Sequence, residues 1–125
     1  IASLISVYLL SVLFGLDQTM LITLLPKSIT AAIAIGVAEE YQGIVTITVA
    51  AVIITGITGN VIAEPVCKFL RIKNPIAKGI AIGTSSHVVG TSKAMEMGEV
   101  EGAMSSLAIV VAGLTTVILL SFILI

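Results

Sequence analysis

Charge is scarce in this chain. Only 10% of its 125 residues are Asp, Glu, Lys or Arg, whereas a soluble globular domain carries roughly 25%. A soluble helical domain of this size needs a solvated stripe on every surface helix, and thirteen charged residues do not supply them. Six basic side chains against seven acidic ones leave no basic footprint for a nucleic acid. A single cysteine, Cys67, excludes an intrachain disulfide. A single histidine, His87, with no Cys/His cluster around it argues against a structural zinc site. No metal, cofactor or enzymatic activity is expected. The first run has neither the basic start nor the small-residue cleavage site of a signal peptide.

What the chain does have is apolar sequence. It is 58% hydrophobic, with a mean hydropathy of +1.22. In lipid every backbone N–H and C=O must be satisfied internally, which leaves helices or closed barrels. The apolar runs are too long and too continuous for the alternation of barrel strands, so helices are predicted. Ile1 to Leu16 is uncharged, and Leu21 to Ala38 is apolar but interrupted by Pro26-Lys27-Ser28. Tyr41 to Ala63 is long enough to span a hydrocarbon core of ~30 Å at ~1.5 Å per residue. Gly79 to Ser92 is uncharged but rich in Gly, Ser and Thr, and Gly102 to Ile125 is the clearest span. The chain opens Ile1-Ala2-Ser3 inside an apolar run, which leads us to expect a longer protein with a hydrophobic segment upstream.

The expected fold is an all-α integral membrane protein of about five transmembrane helices or half-helices, two of them broken, transporter-like. Residues 1–125 form one transmembrane domain. Four of the six basic residues, Lys68, Arg71, Lys73 and Lys78, lie between two apolar runs, so that loop is expected to be cytoplasmic. Five passes then put Glu39-Glu40 and Glu99/Glu101 on the opposite side and the C-terminus in the cytoplasm, unless a broken pass is re-entrant. Asn74-Pro75 is a good helix start, and Pro65 is expected to kink or end the preceding helix. Polar breaks, short helices, the spacing of Glu40 to Gly43 and Glu99 to Gly102, and long apolar runs recur over 17–70 and 75–125. Helical repeats of the kind found in transporters account for this; so does the general likeness of any two helical hairpins.

Two segments hold polar chemistry at membrane depth. Gly83 to Lys93 carries Thr84, Ser85, Ser86, His87, Gly90, Thr91, Ser92 and Lys93 in an apolar setting. Its glycines permit an unwound backbone, which survives in a membrane only where protein buries it or water reaches it. A helix restarting there presents N–H groups and a positive dipole end, a cradle for a small anion such as a carboxylate. The alternative is tight helix packing through small residues. In Pro26 to Thr30, proline breaks the helix, Ser28 can cap its continuation, and Lys27 needs a partner, water or a path to the interface. His87 is either a proton carrier or a neutral residue bonded to a backbone carbonyl. Glu64 is better placed to pair with Lys68 one turn on than to bind a cation. Glu96, Glu99 and Glu101 fit a solvated helix start, and Gly56 to Gly59 a close-packing patch. The candidate substrate-binding set is Lys27, Ser28, Thr30, Thr84, Ser85, His87, Gly90, Thr91 and Lys93.

These stretches resemble a known family. Leu25 to Thr30 is similar to the Pro-Lys-Ser-(Ile/Val)-Thr motif of the LrgB/CidB family of bacterial membrane proteins. Asn74 to His87, Gly90 to Ala94 and Glu96 to Ala103 resemble further motifs of that family, nearly along the whole chain. The chain looks like the C-terminal half of such a protein. Lys93 stands where the family more often has Arg, which keeps the charge but loses the bidentate fork. The resemblance implies an antiholin-like modulator of murein hydrolase activity and cell lysis, acting with a small holin-like membrane partner of the LrgA/CidA type. It equally implies transport, since relatives are linked to pyruvate uptake and plastid relatives carry glycolate and glycerate. A multi-pass protein of the bacterial inner membrane, forming a homo-oligomer, is expected. The polar broken helices favour a carrier of small monocarboxylates.

Overall fold

The computed structural model describes residues 1–123, all of whose regular structure is helical. The elements are α1 (Ala2–Leu13), α2 (Gln18–Leu24), a single 3-10 turn (Leu25–Ser28), α3 (Ala31–Glu40), α4 (Val45–Phe69), α5 (Pro75–Met97) and α6 (Glu99–Ile123). Helices α4 and α6, 25 residues each, are long and apolar enough to cross a membrane. Most large apolar side chains on their outer faces are exposed, including Ile54, Val61, Leu107 and Leu114. Surface of that kind suits lipid as its solvent.

Neither broken segment runs straight. In α5 the backbone at His87 takes φ 43 and ψ −140, and the helix doubles back. A Cβ built on Gly90 would lie 3.1 Å from Ile82 Cγ2, although a straight helix would separate residues eight apart by about 12 Å. Lys78, at the start of α5, and Lys93, near its end, line the same cavity. The first broken segment does likewise: α2 runs inward, Pro26 ends it in the 3-10 turn, Ile29 is extended, and α3 runs back. Leu21 and Tyr41, at the two open ends of this hairpin, pack on one cluster of Leu4, Val7, Leu25, Val37 and Leu120.

The molecule is therefore two long apolar helices and two folded-back hairpins that approach their middle from opposite ends, with α1 packed against the first. Of the two paths expected, the five passes give way to the one in which the broken segments fold back. Glu99 and Glu101 lie at the same end as Lys78, whose ammonium is 3.7 Å from Glu101 Oε1. The reversal at His87 puts them there. Helix α6 then runs the other way, its Leu120 joining Val37 and Tyr41 at the far end, so it finishes opposite the Lys68–Lys78 loop.

Local chemistry explains the ends. Asp17 Oδ1 accepts from the Met20 N–H at 2.8 Å and starts α2. Asn74 Oδ1 accepts from Ile76 and Ala77 at 2.9 and 3.3 Å, with Pro75 in the first helical position; such caps are worth about 1 kcal/mol. Pro65 does not end its helix: α4 continues to Phe69. Thr23, fully buried, ties the first hairpin to α4. Its Oγ1 accepts from the Ile44 N–H at 2.8 Å, and its carbonyl accepts from Thr48 Oγ1 at 2.8 Å.

Small residues bring the second hairpin close to its neighbours. A Cβ on Gly83 would fall 2.9 Å from Ser105 Cα, and one on Gly102 2.8 Å from Met95 Cγ. Gly59 faces Ser86, and Gly56 faces the His87 ring. The Gly56–Gly59 patch is thus the close-packing surface expected of it.

Candidate functional site

The two hairpin tips converge on the middle of α4. Ile29, just past the first tip, is buried against Val52. The second tip reaches the same residue: His87 Nε2 lies 2.9 Å from the Val52 carbonyl oxygen. A carbonyl only accepts, so Nε2 carries the hydrogen. His87 is 3% exposed, and its own carbonyl accepts from Thr91 Oγ1 at 2.9 Å. Thr91 Oγ1 is also 2.6 Å from Ser105 Oγ on α6. The histidine thus takes the carbonyl-bonded role left open above, and it pins the tip to both crossing helices.

Beside this junction lies a cavity of about 200 Å³. Ser28 from the first hairpin, Thr84 from the inward arm of the second, Ser3 of α1 and Thr115 and Thr116 of α6 supply its polar lining. Ser28 Oγ is 2.7 Å from Ser3 Oγ and accepts from Lys27 Nζ at 3.1 Å. Lys27 is half-buried. Ser28 does not cap α3: the N-cap position falls to Thr30, half-buried and making no side-chain cap bond. The extended backbone of Ile29 places Thr30, not Ser28, at the first turn. That turn leaves N–H groups without intrahelical partners.

The structure thus brings Lys27, Ser28 and Thr84 to one place, with Thr30 on the same tip. Thr84 Oγ1 donates to the Ile80 carbonyl at 2.7 Å, leaving its lone pairs to the cavity. The other members of the predicted set are occupied elsewhere. Ser85 Oγ donates back to Ala81 at 2.8 Å and faces Ser86 Oγ at 3.0 Å. Gly90 supports the hairpin by lying against Ser86 and Ile82. Lys93 sits far from the tips, 3.0 Å from Glu96 Oε2 and 3.4 Å from Glu64 Oε2. Glu64 also holds Lys68 at 2.8 Å, the one-turn pair expected of it. Sequence reasoning missed Ser3 and the adjacent Thr115 and Thr116, which sit in apolar helices with no charge or break beside them. It also missed Asn60, whose Nδ2 donates to the Val89 carbonyl at 2.8 Å and to Ser92 Oγ at 3.0 Å. An amide inside a long apolar span was the available clue.

An all-α integral membrane protein with two broken hairpins meeting at the middle of a long apolar helix is the class that fold and site define. The chain belongs to the LrgB-like family, whose model matches residues 1–125. It is 40% identical over 120 residues to proteins named "Antiholin-like protein LrgB" from Bacillus mycoides (strain KBAB4) and Bacillus cereus (strain B4264). The same identity holds for the protein of that name from Bacillus anthracis (strain CDC 684 / NRRL 3495). Each match covers 96% of this chain and 52% of the relative, so the chain spans about half their length. No solved structure matches.

Proposed function

We propose that this protein carries small monocarboxylates, of the pyruvate or glycolate type, across the bacterial inner membrane. The observation behind the reading is that Ser28 and Thr84, from hairpins entering from opposite ends, line one cavity at mid-depth. Its 200 Å³ is several times the ~30 Å³ share of one water, enough for a two- or three-carbon acid. A carboxylate leaving water needs its hydration replaced. Ser28 lines the cavity and the Lys27 ammonium lies beside it; Thr84 joins them as a donor when its O–H turns from the Ile80 carbonyl, and hydrogen bonds to charged groups are worth ~1.5–3 kcal/mol each. Lys93 is left out of the set because two carboxylates already hold it. The arrangement also supports reading 17–70 and 75–125 as repeats of opposite orientation, each a hairpin followed by a 25-residue helix.

The second reading rests on the printed name of the relatives, antiholin-like. In it the protein modulates murein hydrolase activity and lysis through a small holin-like partner of the LrgA/CidA type, as a homo-oligomer with no substrate of its own. Uptake of radiolabelled pyruvate and glycolate into proteoliposomes holding the full-length protein, with and without that partner, separates the two. Transport that falls at least tenfold in Ser28→Val and Thr84→Val, at equal protein levels, supports the carrier. Uptake no greater than in empty liposomes turns the choice to the lysis modulator.

A further inference from the structure

The open end of the second hairpin carries a cavity of about 630 Å³ with five cationic and two anionic side chains on its wall. The anions are accounted for: Glu64 and Glu96 hold Lys68 and Lys93, while Lys78 pairs with Glu101 of α6. Arg71 and Lys73 make no ion pair among the described residues. Both are exposed, and they flank Ile72 in the α4–α5 turn. Ile72 and Cys67 are common to this basin and to a second cavity of about 450 Å³, which continues from it along the outside of α4.

That second cavity is a groove with a different character. Its α4 wall is Ile54, Thr58, Ile62, Val66 and Leu70, one residue per turn along a single ridge, facing Ala81 and Ser85 of the hairpin. From Ile54 to Leu70 the ridge rises about 24 Å at 1.5 Å per residue. One leaflet of hydrocarbon is about 15 Å deep. The groove therefore runs from the charged end through a full leaflet, with its apolar residues exposed on the lipid-facing side. A cationic basin opening into an apolar channel of leaflet length is complementary to one kind of molecule, an anion attached to an acyl chain. A free anion would use the basin and leave the groove unexplained. An uncharged lipid would use the groove and leave the charges of Arg71 and Lys73 without a partner among the described residues.

We propose that this surface binds an anionic phospholipid. Its phosphate sits on Arg71 and Lys73, with the guanidinium fork of Arg71 suited to a phosphate, and one acyl chain lies along the Ile54–Leu70 ridge. The site is separate from the cavity between the hairpin tips.

The test uses the purified full-length protein, delipidated in detergent, and native mass spectrometry to count retained lipid. The probes are dioleoyl phosphatidylglycerol, dioleoyl phosphatidylcholine and inorganic phosphate, the last read by thermal shift. The expected result is one tightly held phosphatidylglycerol per chain, with at least tenfold preference over phosphatidylcholine. Arg71→Gln with Lys73→Gln should remove that preference; both side chains are exposed in a turn, so folding is not at stake. Ala81→Trp should fill the groove and release the lipid while any thermal shift from phosphate persists. A second groove variant, Thr58→Trp, approaches from the other wall should Ala81→Trp fail to fold. Equal retention of the two lipids overturns the proposal. So does phosphatidylglycerol binding that ignores both groove variants, which marks a free-anion site. Thr58→Cys that resists a lipid-soluble thiol reagent in the lipid-free protein, in a Cys67→Ala background, overturns it as well, because another segment then covers the groove.

Discussion

His87 and Val52 are joined by a 2.9 Å hydrogen bond between a ring N–H at the turn of a re-entrant hairpin and a carbonyl in the middle of a crossing helix. The bond holds the hairpin tip beside the middle of α4 and does so at a backbone cost. A non-glycine residue at φ 43, ψ −140 holds about 1–3 kcal/mol of strain. The ring bond, its packing on Gly56 and the Thr91 contact offset that strain.

The balance predicts an order of stability. His87→Ala loses the ring and keeps the strained backbone, whereas His87→Gly loses the ring and relieves the strain. Both should be less stable than the parent, and the alanine variant should be the worse by about 1 kcal/mol or more. Thermal unfolding midpoints of the purified variants in one detergent check it. A glycine variant no better than alanine would mean that His87 is not strained.

Glycine substitutions should split by environment. Gly36 in α3 has nothing within 4 Å of a built Cβ, so Gly36→Ala should stabilise by up to about 1 kcal/mol through helix propensity. Gly83 faces Ser105 backbone, with Cα at 2.9 Å, and backbone does not rotate away. Gly83→Ala should therefore destabilise, by about 1–3 kcal/mol as overpacking does. The same unfolding assay reads both, and a shift of the same sign in the two would contradict the packing described here.

How far the sequence was legible follows from what each residue had to signal. Long uncharged runs announced α4 and α6, since few other structures satisfy their backbone in lipid. Pro26 announced the first break, although Pro65, with the same ring, leaves α4 running to Phe69. The second reversal was hidden. Gly83 and Gly90 looked like the flexible points, but they are helical packing residues, and the turn falls on His87 between them. Long-range contacts fixed that choice, and no local propensity reports them. The hydroxyls were visible, but not their partners: Thr91 meets Ser105 and Ser28 meets Ser3, each across a helix interface. Lys93 was drawn toward the site by sequence proximity to His87, and the fold-back carries it to the opposite end of the arm, against Glu64.

Two ion pairs should differ in worth. Lys68–Glu64 is the shorter, at 2.8 Å, but the lysine side chain is 75% exposed. Lys78–Glu101 is longer, at 3.7 Å, with the side chains 23% and 11% exposed. Water screens the first, and exposed pairs contribute about 0–1 kcal/mol. Removing one partner of a buried pair leaves a desolvated charge. Glu101→Gln should cost more stability than Glu64→Gln, and a double-mutant cycle should give Lys78–Glu101 the larger coupling. Equal couplings in the two cycles would mean that water reaches Glu101.

The re-entrant path makes the most decisive prediction. If α5 crossed the membrane, its ends near Lys73 and Glu99 would lie on opposite faces. The fold-back places both at one end, tied by Lys78 to Glu101 and by Lys93 to Glu64. Glu40, beside the start of α4, lies at the other end. In a Cys67→Ala background, single cysteines at Lys73, Glu99 and Glu40 should separate two to one. An impermeant maleimide added to intact cells should label Glu40→Cys and spare Lys73→Cys and Glu99→Cys. Permeabilised cells should label all three. The direction follows from the basic loop, which belongs on the cytoplasmic side; the grouping follows from His87 alone. Labelling of Glu99→Cys from outside, with Lys73→Cys protected, would show that α5 spans the membrane. The cavity shared by Ser28 and Thr84 would then have no hairpin tips to build it.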